Sequence, residues 1–301
     1  MSILWRKDII MKNYGIPYMG SKDKICQSLI KVLPSGNRFV DLFGGGFSMT
    51  ECAARTKPAK WKKFLYNDFN PLVVNLVMDA IKGKYNFKNF TPKWISRETF
   101  ERERERDGYI KYIWSFGNNG QAYLYGKDIE EWKHKAWDYI VEGKKDTDLL
   151  EILPDLPKYV KSKNIHQRRL EFRRCAANHS LGENYQRIQS LKNLQSLTQL
   201  ESLQRLESLQ STSMSYEDYE YQEGDIVYCD IPYEETASYS GGFDNKKFYD
   251  WCDKQPYPIY VSSYKIKNCK WKLIWAKVKI PLLNQQTKTR KYVVECLYKT
   301  K

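Results

Sequence analysis

The sequence predicts an α/β fold in which a βα core is interrupted by a basic insertion. Short apolar runs at residues 39–42, 64–66 and 226–229 have the length and composition of buried strands. Helical patterns follow the first two runs, whereas the long segment before the third run is rich in Lys, Arg, Trp and Tyr. Strands that alternate with helices are typical of a parallel sheet covered by helices.

The net charge indicates the class of partner. The chain has 301 residues, enough for one large domain or two smaller ones, with 50 Lys+Arg against 36 Asp+Glu and a formal charge of +14. This excess favours a polyanionic partner, because each neutralised phosphate releases condensed counterions. A merely basic soluble protein is the alternative.

Cysteine spacing and hydropathy predict a soluble protein of the cytoplasm. The seven cysteines are widely spaced and include no C-x-x-C pair, which disfavours a zinc ribbon or a disulfide framework and fits a reducing compartment. No apolar run approaches the roughly 18 residues of a membrane helix, and the N-terminus lacks the order of a signal peptide. No cluster of carboxylates has metal-binding spacing, so no metal is expected and a nuclease is disfavoured.

Residues 37–57, NRFVDLFGGGFSMTECAARTK, predict a nucleotide-binding βα unit. The strand run leads into three glycines and then into a helical stretch. Glycine suits this loop because a side chain would hold the backbone away from a ligand and disfavour positive φ. An ordinary glycine loop is the alternative.

Residues 61–83, WKKFLYNDFNPLVVNLVMDAIKG, predict a second strand and a helix closed by Gly83. Asp68 falls just past the strand, about 20 residues after the glycine loop, the spacing at which an acid binds the ribose hydroxyls of an adenosine cofactor. A helix cap is the alternative role for Asp68.

The insertion, residues 84–186, suits nucleic acid, because its cations can hold phosphates while its aromatic rings stack on bases. The Glu-Arg alternation of residues 101–106 predicts a solvated helix face instead. Asn118 and Asn119 predict a turn, although Asn can also read adenine edges.

Residues 187–212 form a leucine-rich segment that we interpret as a partly helical, low-complexity connector. Its leucines recur every third residue, which matches neither the helix period of 3.6 nor the strand period of 2, so a coiled-coil seam is disfavoured. The leucines are at positions 191, 194, 197, 200, 203, 206 and 209.

The last part of the chain predicts further core elements. YCDIPY, residues 228–233, places an acid, a stiffening proline and an aromatic ring at the end of a strand, where a sheet presents groups to a ligand. A helix over residues 243–255 and a strand over 258–264 follow, and residues 270–299 read as antiparallel strands around a basic loop.

Three of these segments together resemble a known family. PYMGSKDKI at residues 17–25, FVDLFGGG at 39–46 and YCDIPY at 228–233 resemble, in this order, the Dam-type (D12 class) DNA adenine-N6 methyltransferases, particularly their phage-like branch. NDFNP at 67–71 and YSGGFD at 239–244 are supporting matches.

The resemblance implies a Rossmann-like core that binds S-adenosylmethionine, with an inserted, mostly helical target-recognition region and double-stranded DNA as the partner. By this resemblance residues 1–83 and 213–301 form the two parts of the core, residues 84–186 form the recognition region, and residues 187–212 connect it to the second part.

The resemblance also implies roles for single residues. The cofactor would contact Tyr18, Gly20, Ser21 and Lys22, with Lys22 also reaching the DNA or the target base. The methionine end of the cofactor pocket would be formed by Asp41, Phe43 and Gly45, and the ribose would be bound by Asp68. The catalytic tetrapeptide would be Asp230, Ile231, Pro232 and Tyr233, with Asp230 also touching the cofactor.

Two residues depart from the family pattern. Ile231 replaces the first proline of the usual Asp-Pro-Pro-Tyr, which we expect to loosen the turn that aims the catalytic carbonyl. Phe47 stands where many members have the last glycine of the loop, and we expect it to narrow the cofactor pocket.

The chemistry of this family explains the tetrapeptide. An adenine amino nitrogen is a poor nucleophile, and acceptors for its two hydrogens stabilise the charge that grows during attack. Asp230 and the Ile231 carbonyl would be those acceptors, and Tyr233 would stack on the base after its extrusion from the duplex.

Several alternatives stay open at this point. The chain could be a DNA-binding protein that keeps the fold without turnover, and methylation of cytosine N4 or of RNA is a third reading. Lys22 could be a solvated helix start, residues 239–244 a glycine turn before a helix cap at Asp244, and residues 285–292 either a phosphate-contacting hairpin or a solvated loop.

Overall fold

A seven-stranded, mostly parallel sheet organises the chain. The computed structural model describes residues 13–88, 90–204, 206–233, 242–266, 269–279 and 292–301. The strands of this described part are β1 (Arg38–Asp41), β2 (Lys63–Asn67), β3 (Leu209–Thr212), β4 (Asp225–Asp230), β5 (Ile259–Tyr264), β6 (Lys272–Lys279) and β7 (Val293–Lys299).

Helices cover the sheet and form the long insertion. They are α1 (Cys26–Val32), α2 (Ser48–Arg55), α3 (Pro71–Ile81), α4 (Arg97–Glu103), α5 (Lys127–Glu142), α6 (Thr147–Ile152), α7 (Leu156–Tyr159), α8 (Ile165–Asn178), α9 (Glu183–Gln186), α10 (Gln189–Leu200) and α11 (Asn245–Lys254). Among the described residues no helix is long and apolar enough to cross a membrane.

The strand order is β3-β2-β1-β4-β5-β7-β6. β1 to β5 pair in parallel, whereas β7 runs antiparallel to both β5 and β6. This arrangement confirms the predicted α/β class and the antiparallel pair at the end of the chain. The strand order reverses between β1 and β4, because β2 and β3 lie on one side of β1 and the later strands lie on the other. Ligands of doubly wound sheets bind beyond the strand ends at this switch point.

Alternating side chains bury both faces of the central strands. Phe39 and Tyr228 pack with α1 and α2 on one face, and Val40 and Val227 pack with α11 on the other. Because both faces are covered, these strands read in the sequence as continuous apolar runs.

The first two βα units form where the sequence predicts them. α3 starts at an Asn70 cap whose side chain accepts from the Leu72 N–H, and Pro71 occupies its first turn. Gly83 follows the helix with a φ of +83°, a left-handed conformation that favours glycine.

The insertion is helical and shares its core with the sheet. Residues 84–186 contain α4 to α9, and none of the described residues there joins the sheet. Trp114, Trp137 and Phe172 are fully buried in one apolar cluster that also holds α3 and α10. The predicted turn at Asn118 is confirmed by its φ of +55°.

The leucine-rich segment is a structural part of the core. Its first leucines lie on α10 and are fully buried, and Leu203 follows on a 3₁₀ turn, whose period is three residues. The helical prediction is confirmed, but the sequence analysis missed β3, which begins at Leu209 and extends the sheet beside β2.

A buried ion pair joins the first residues of β1 and β4. Arg38 donates to both carboxylate oxygens of Asp225, at 2.9 and 2.6 Å, and Tyr219 donates to the same carboxylate. Although burial opposes ionisation, these hydrogen bonds lower the pKa of Asp225. The pair fixes the register of the two strands whose opposite ends form the candidate site.

Candidate active site

Three acids lie at the carboxyl ends of neighbouring parallel strands. Asp41 ends β1, Asp68 follows β2, and Asp230 ends β4. They are close enough that the charges of Asp230 and Asp68 both contribute to raising the pKa of Asp41. The sequence analysis assigned all three to the site, and the sheet brings them to one edge at the switch point.

The N-terminal motif lies directly across the glycine loop. The Ile16 N–H donates to the Gly46 carbonyl at 2.8 Å, and the Gly15 N–H donates to the Glu51 carboxylate on α2 at 2.5 Å. Gly15 has a φ of +72°, and a Cβ there would lie 2.2 Å from the Gly46 oxygen. This close approach requires glycine and joins the first two sequence motifs into one surface.

Tyr18 and Tyr66 enclose the glycine loop. A Cβ on Gly46 would lie 2.6 Å from the Tyr18 Cβ, and one on Gly44 would lie 2.4 Å from the Tyr66 ring. The Tyr66 hydroxyl donates to the Gly45 carbonyl at 2.7 Å. The loop therefore needs glycine in order to pack against these rings, whatever ligand it holds.

Asp68 holds the loop rather than capping the helix. Its carboxylate accepts from the Gly45 N–H at 2.8 Å and from the Asn70 N–H at 2.9 Å. Asn70, not Asp68, caps α3, so the capping alternative is wrong. Burial raises the pKa of Asp68. Its predicted contact with a ribose stays a prediction.

Asp41 is a buried carboxyl with one oxygen left for a ligand. Thr50 donates to Oδ2 at 2.8 Å, whereas Oδ1 has no hydrogen-bond partner among the described residues. Burial, with smaller effects from the charges of Asp230 and Asp68, raises its pKa to about 8. A buried acceptor without a donor is costly, and a cationic ligand group beside it would remove that cost.

Lys22 is part of the site and is not solvated. Its side chain is 5% exposed, and Nζ lies 2.6 Å from Asp230 Oδ1 and 4.9 Å from the centre of the Tyr233 ring. The alternative of a solvated helix start is therefore wrong. The Lys22 N–H also donates to Ser48 Oγ at 3.2 Å, which ties the motif to the start of α2. Gly20, with a φ of +82°, forms the turn before it, and its carbonyl lies 3.4 Å from Lys22 Nζ.

Tyr233 is held by two acids and a ring. Its hydroxyl donates to Glu295 Oε2 at 2.7 Å, with a longer contact of 3.4 Å to Asp230 Oδ1. The Tyr264 ring lies against it, with ring centres 4.2 Å apart. Burial, followed by the charges of Asp230 and Glu295, raises the pKa of Tyr233. The ring is thus fixed in position beside the catalytic candidate Asp230.

The two departures from the family pattern are both buried. Ile231 is 2% exposed and packs in the apolar cluster on the α11 face, while Pro232 is half-buried. Phe47 has a φ of +71°, in the region that favours glycine, and its buried ring meets Tyr66 edge-on at 4.9 Å. The expected effects on the turn and on the cofactor pocket stay predictions.

Phe43 lies in an aromatic cluster next to the loop. Its ring stacks on Tyr216 at 5.6 Å and meets Phe243 and Phe248 edge-on. Its contacts with other rings are therefore on the α11 side, whereas Tyr18 lies on the other side of the loop against Tyr112.

One supporting match and the basic loop near the end of the chain fall partly outside the described residues. Residues 234–241 and 280–291 are not described, so the first half of YSGGFD and most of the basic loop at 285–292 cannot be placed. Asp244 is described and caps α11 by accepting from the Lys247 N–H, as the sequence analysis expected for a helix cap.

Sequence reasoning missed Glu295 and Asn67. Glu295 is 1% exposed on β7, and the signal that could have revealed it is a carboxylate inside the apolar run VVECL. Asn67 donates to the carbonyls of Leu42 and Met214 and accepts from Thr212, so it joins the ends of β2 and β3 to the loop after β1.

The described residues suit an organic cation better than a metal. Among them no group of three or more His, Cys, Asp or Glu side chains could hold a metal ion. S-adenosylmethionine carries a sulfonium and an ammonium group, and the unpaired Asp41 oxygen beside the glycine loop fits such a charge.

The doubly wound sheet defines the class, a Rossmann-like α/β protein, and three acids lie at its switch point, where such sheets bind their ligands. The model of the D12 class N6 adenine-specific DNA methyltransferase family matches residues 18–140 of the chain. This match confirms the resemblance to the D12 class, whereas the phage-like branch stays a prediction and the tetrapeptide lies outside the matched segment. Methyltransferases of this family use S-adenosylmethionine as methyl donor and modify DNA. The search of the curated proteins gave no match.

Proposed function

We propose that the chain is a site-specific DNA methyltransferase that transfers a methyl group from S-adenosylmethionine to N6 of an adenine flipped out of duplex DNA. The observation that carries the proposal is the meeting of Lys22, Asp230 and Tyr233 at the switch point of the sheet. The family match over residues 18–140 supports the same activity. The proposal includes a location in the cytoplasm of a bacterial or phage-infected cell.

Asp230 and the Ile231 carbonyl accept the two hydrogens of the adenine amino group. These bonds favour a pyramidal nitrogen and stabilise the positive charge that grows on it. Because they are stronger in the transition state than in the ground state, they accelerate the reaction. Asp230 is suited to this role because its carboxylate is 17% exposed at the strand end and already accepts a cationic donor, Lys22. The burial of Ile231 offers a way to hold the carbonyl without the missing proline.

Lys22 and Tyr233 position the base. The Lys22 ammonium pairs with the Asp230 carboxylate and lies over the Tyr233 ring. The amino group of the entering adenine therefore approaches a carboxylate whose orientation is already fixed. Stacking of a flipped base on a tyrosine contributes about 1–3 kcal/mol, which offsets part of the few kcal/mol that extrusion costs.

The glycine loop and its acids hold the cofactor. Bound S-adenosylmethionine supplies an electrophilic methyl group. Asp41 accepts from its cationic methionine end, Gly45 and Phe43 line the same end, and Asp68 binds the ribose. Tyr18, Gly20 and Ser21 close the pocket from the N-terminal motif.

The test is transfer of labelled methyl from S-adenosylmethionine to unmethylated duplex DNA, with the product nucleosides separated. Label in N6-methyladenine supports the proposal. Label in N4-methylcytosine or in RNA would assign a different substrate, and no label with intact DNA binding would favour a binding protein without turnover.

A further inference from the structure

Four cations gather where α8 meets α10, and we call them the α8–α10 basic cluster: Arg169, Arg173, Arg187 and Lys192. Arg169 on α8 donates to Gln195 Oε1 on α10 at 2.9 Å, which joins the two helices. Arg173 lies one turn further along α8, and Lys192 lies one turn before Gln195 on α10. Arg173, Arg187 and Lys192 are exposed.

Among the described residues, acidic side chains form a salt bridge with one of the four cations of this cluster and leave three without one. Glu183 pairs with Arg187 at 2.5 Å. Glu171, on the same helix as Arg173, accepts from the Lys161 and Ser162 N–H groups. Burial and the charges of Arg169, Arg187 and Arg173 lower the pKa of Lys192, and the weaker effect of Asp23 opposes them. Like charges held together in this way favour a bound anion.

The cluster lies beside the candidate active site. Asn193, next to Lys192, donates to the Ile113 carbonyl at 2.9 Å. The neighbouring Tyr112 packs against Tyr18 of the N-terminal motif, with ring centres 5.1 Å apart. Asp23, whose charge acts on Lys192, directly follows Lys22 in the chain.

We propose that the α8–α10 basic cluster binds DNA backbone phosphates next to the target nucleotide, an inference that rests on the proposed function. Extruding a base rotates its nucleotide about the backbone, so the adjacent phosphates must be held while the base enters the site. Arg173 and Lys192 present their charges to solvent, and Lys192 lies near enough to Asp23, the residue after Lys22, to be affected by its charge. The phosphates next to the target nucleotide would pass here.

This inference gives the leucine-rich helix a role. One side of α10 buries leucines 191, 194, 197 and 200, and another presents Lys192. A helix fixed by four buried leucines is a rigid support for a cation, which lowers the entropy lost when a phosphate is bound.

The experiment measures binding of a fluorescently labelled duplex by anisotropy over a series of salt concentrations, without added cofactor. The test variant is R173Q/K192Q, and R173K/K192R keeps the two charges. The matched control is K246Q/K254Q, which removes two exposed cations from α11 on the opposite face of the sheet. Circular dichroism of each variant checks that the fold is kept.

We expect R173Q/K192Q to weaken binding equally for all sequences and to reduce the slope of log K against log salt by about 2, roughly 1 for each lost phosphate contact. R173K/K192R and K246Q/K254Q should keep the wild-type slope. A wild-type slope in R173Q/K192Q, or an equal loss in R173K/K192R or in the α11 control, would overturn the inference.

Methyl transfer by the wild type separates this inference from the proposed function. Transfer to adenine together with an unchanged slope in R173Q/K192Q would contradict the phosphate site alone. Absent transfer together with a reduced slope would contradict the proposed function and leave the phosphate site supported.

Discussion

Lys22 Nζ lies 2.6 Å from Asp230 Oδ1, and this ion pair joins the N-terminal motif to the tetrapeptide at the end of β4. The two residues are far apart in the sequence, and the parallel pairing of β1 with β4 helps to bring their segments together. The same ammonium lies over the Tyr233 ring. One lysine therefore orients both the acid and the aromatic ring of the proposed catalytic site.

Replacing Lys22 should slow methyl transfer. Lys22→Met keeps the buried stem and removes the charge, so Asp230 and Tyr233 lose a shared anchor, and a misplacement of about 1 Å costs roughly 100-fold in rate. Single-turnover kinetics at saturating cofactor and DNA measure the effect. Lys22→Arg keeps a cation and should retain more activity than Lys22→Met. Wild-type rates in Lys22→Met would contradict the assigned role.

Glu295 should act through Tyr233. The hydroxyl of Tyr233 donates to the buried Glu295 carboxylate at 2.7 Å, so Tyr233→Phe and Glu295→Leu each remove the same bond. We expect each single variant to lower kcat, and the double variant to be no slower than the slower single one, because a hydrogen bond is lost only once. A double-mutant cycle on kcat measures this coupling. Additive losses would show that Glu295 does not act through Tyr233.

Cofactor affinity should rise with pH because of Asp41. Burial raises its pKa to about 8, so the ligand-free carboxyl is largely protonated at pH 7. A cationic cofactor favours the ionised form, so binding releases a proton, and log K should rise by up to about 1 per pH unit below pH 8 and level off above it. Calorimetric titration with S-adenosylmethionine between pH 6 and 9 measures the slope.

Asp41→Asn is the control for that pH dependence, since an amide does not titrate in this range. It should bind more weakly and with a flat profile. The same pKa shift predicts that the ligand-free protein loses stability as pH rises from 3.8 to about 8, because the unfolded state releases the proton first. A pH-dependent affinity that persists in Asp41→Asn would assign the proton to another group.

At position 47 a glycine variant should be more stable than an alanine variant, the reverse of the usual order of stability. Its φ of +71° costs an L-residue about 1–2 kcal/mol, which glycine avoids. Both Phe47→Ala and Phe47→Gly lose a buried ring and should be less stable by about 3–5 kcal/mol. Of the two, Phe47→Gly should be more stable by about 1 kcal/mol in denaturant unfolding. A more stable alanine variant would contradict the observed backbone conformation.

Local signals in the sequence predict the βα units but not the edge of the sheet. Asn70, Pro71 and Gly83 mark the bounds of α3 within a few residues, so that helix can be predicted. β3 is a short strand with the polar sequence LQST, and it forms only because β2 offers a partner. Its strand character comes from tertiary context.

The composition of the site follows from motifs, whereas its contacts do not. Asp41, Asp68 and Asp230 each lie at the end of a strand or just past it, so their shared edge is predictable from parallel pairing. The burial of Lys22 and the contact of Glu295 with Tyr233 depend on residues far away in the chain. No local pattern encodes such contacts.

The central claim is that the Asp230 carboxylate accepts the amino hydrogens of adenine during methyl transfer. Asp230→Asn keeps the size of the side chain and one acceptor oxygen, so DNA and cofactor binding should be retained. The decisive measurement is the single-turnover rate of N6-methyladenine formation by Asp230→Asn and by the wild type at saturating cofactor and duplex. We predict a rate about 100- to 1,000-fold lower in the variant with near-normal binding. An unchanged rate would contradict the account.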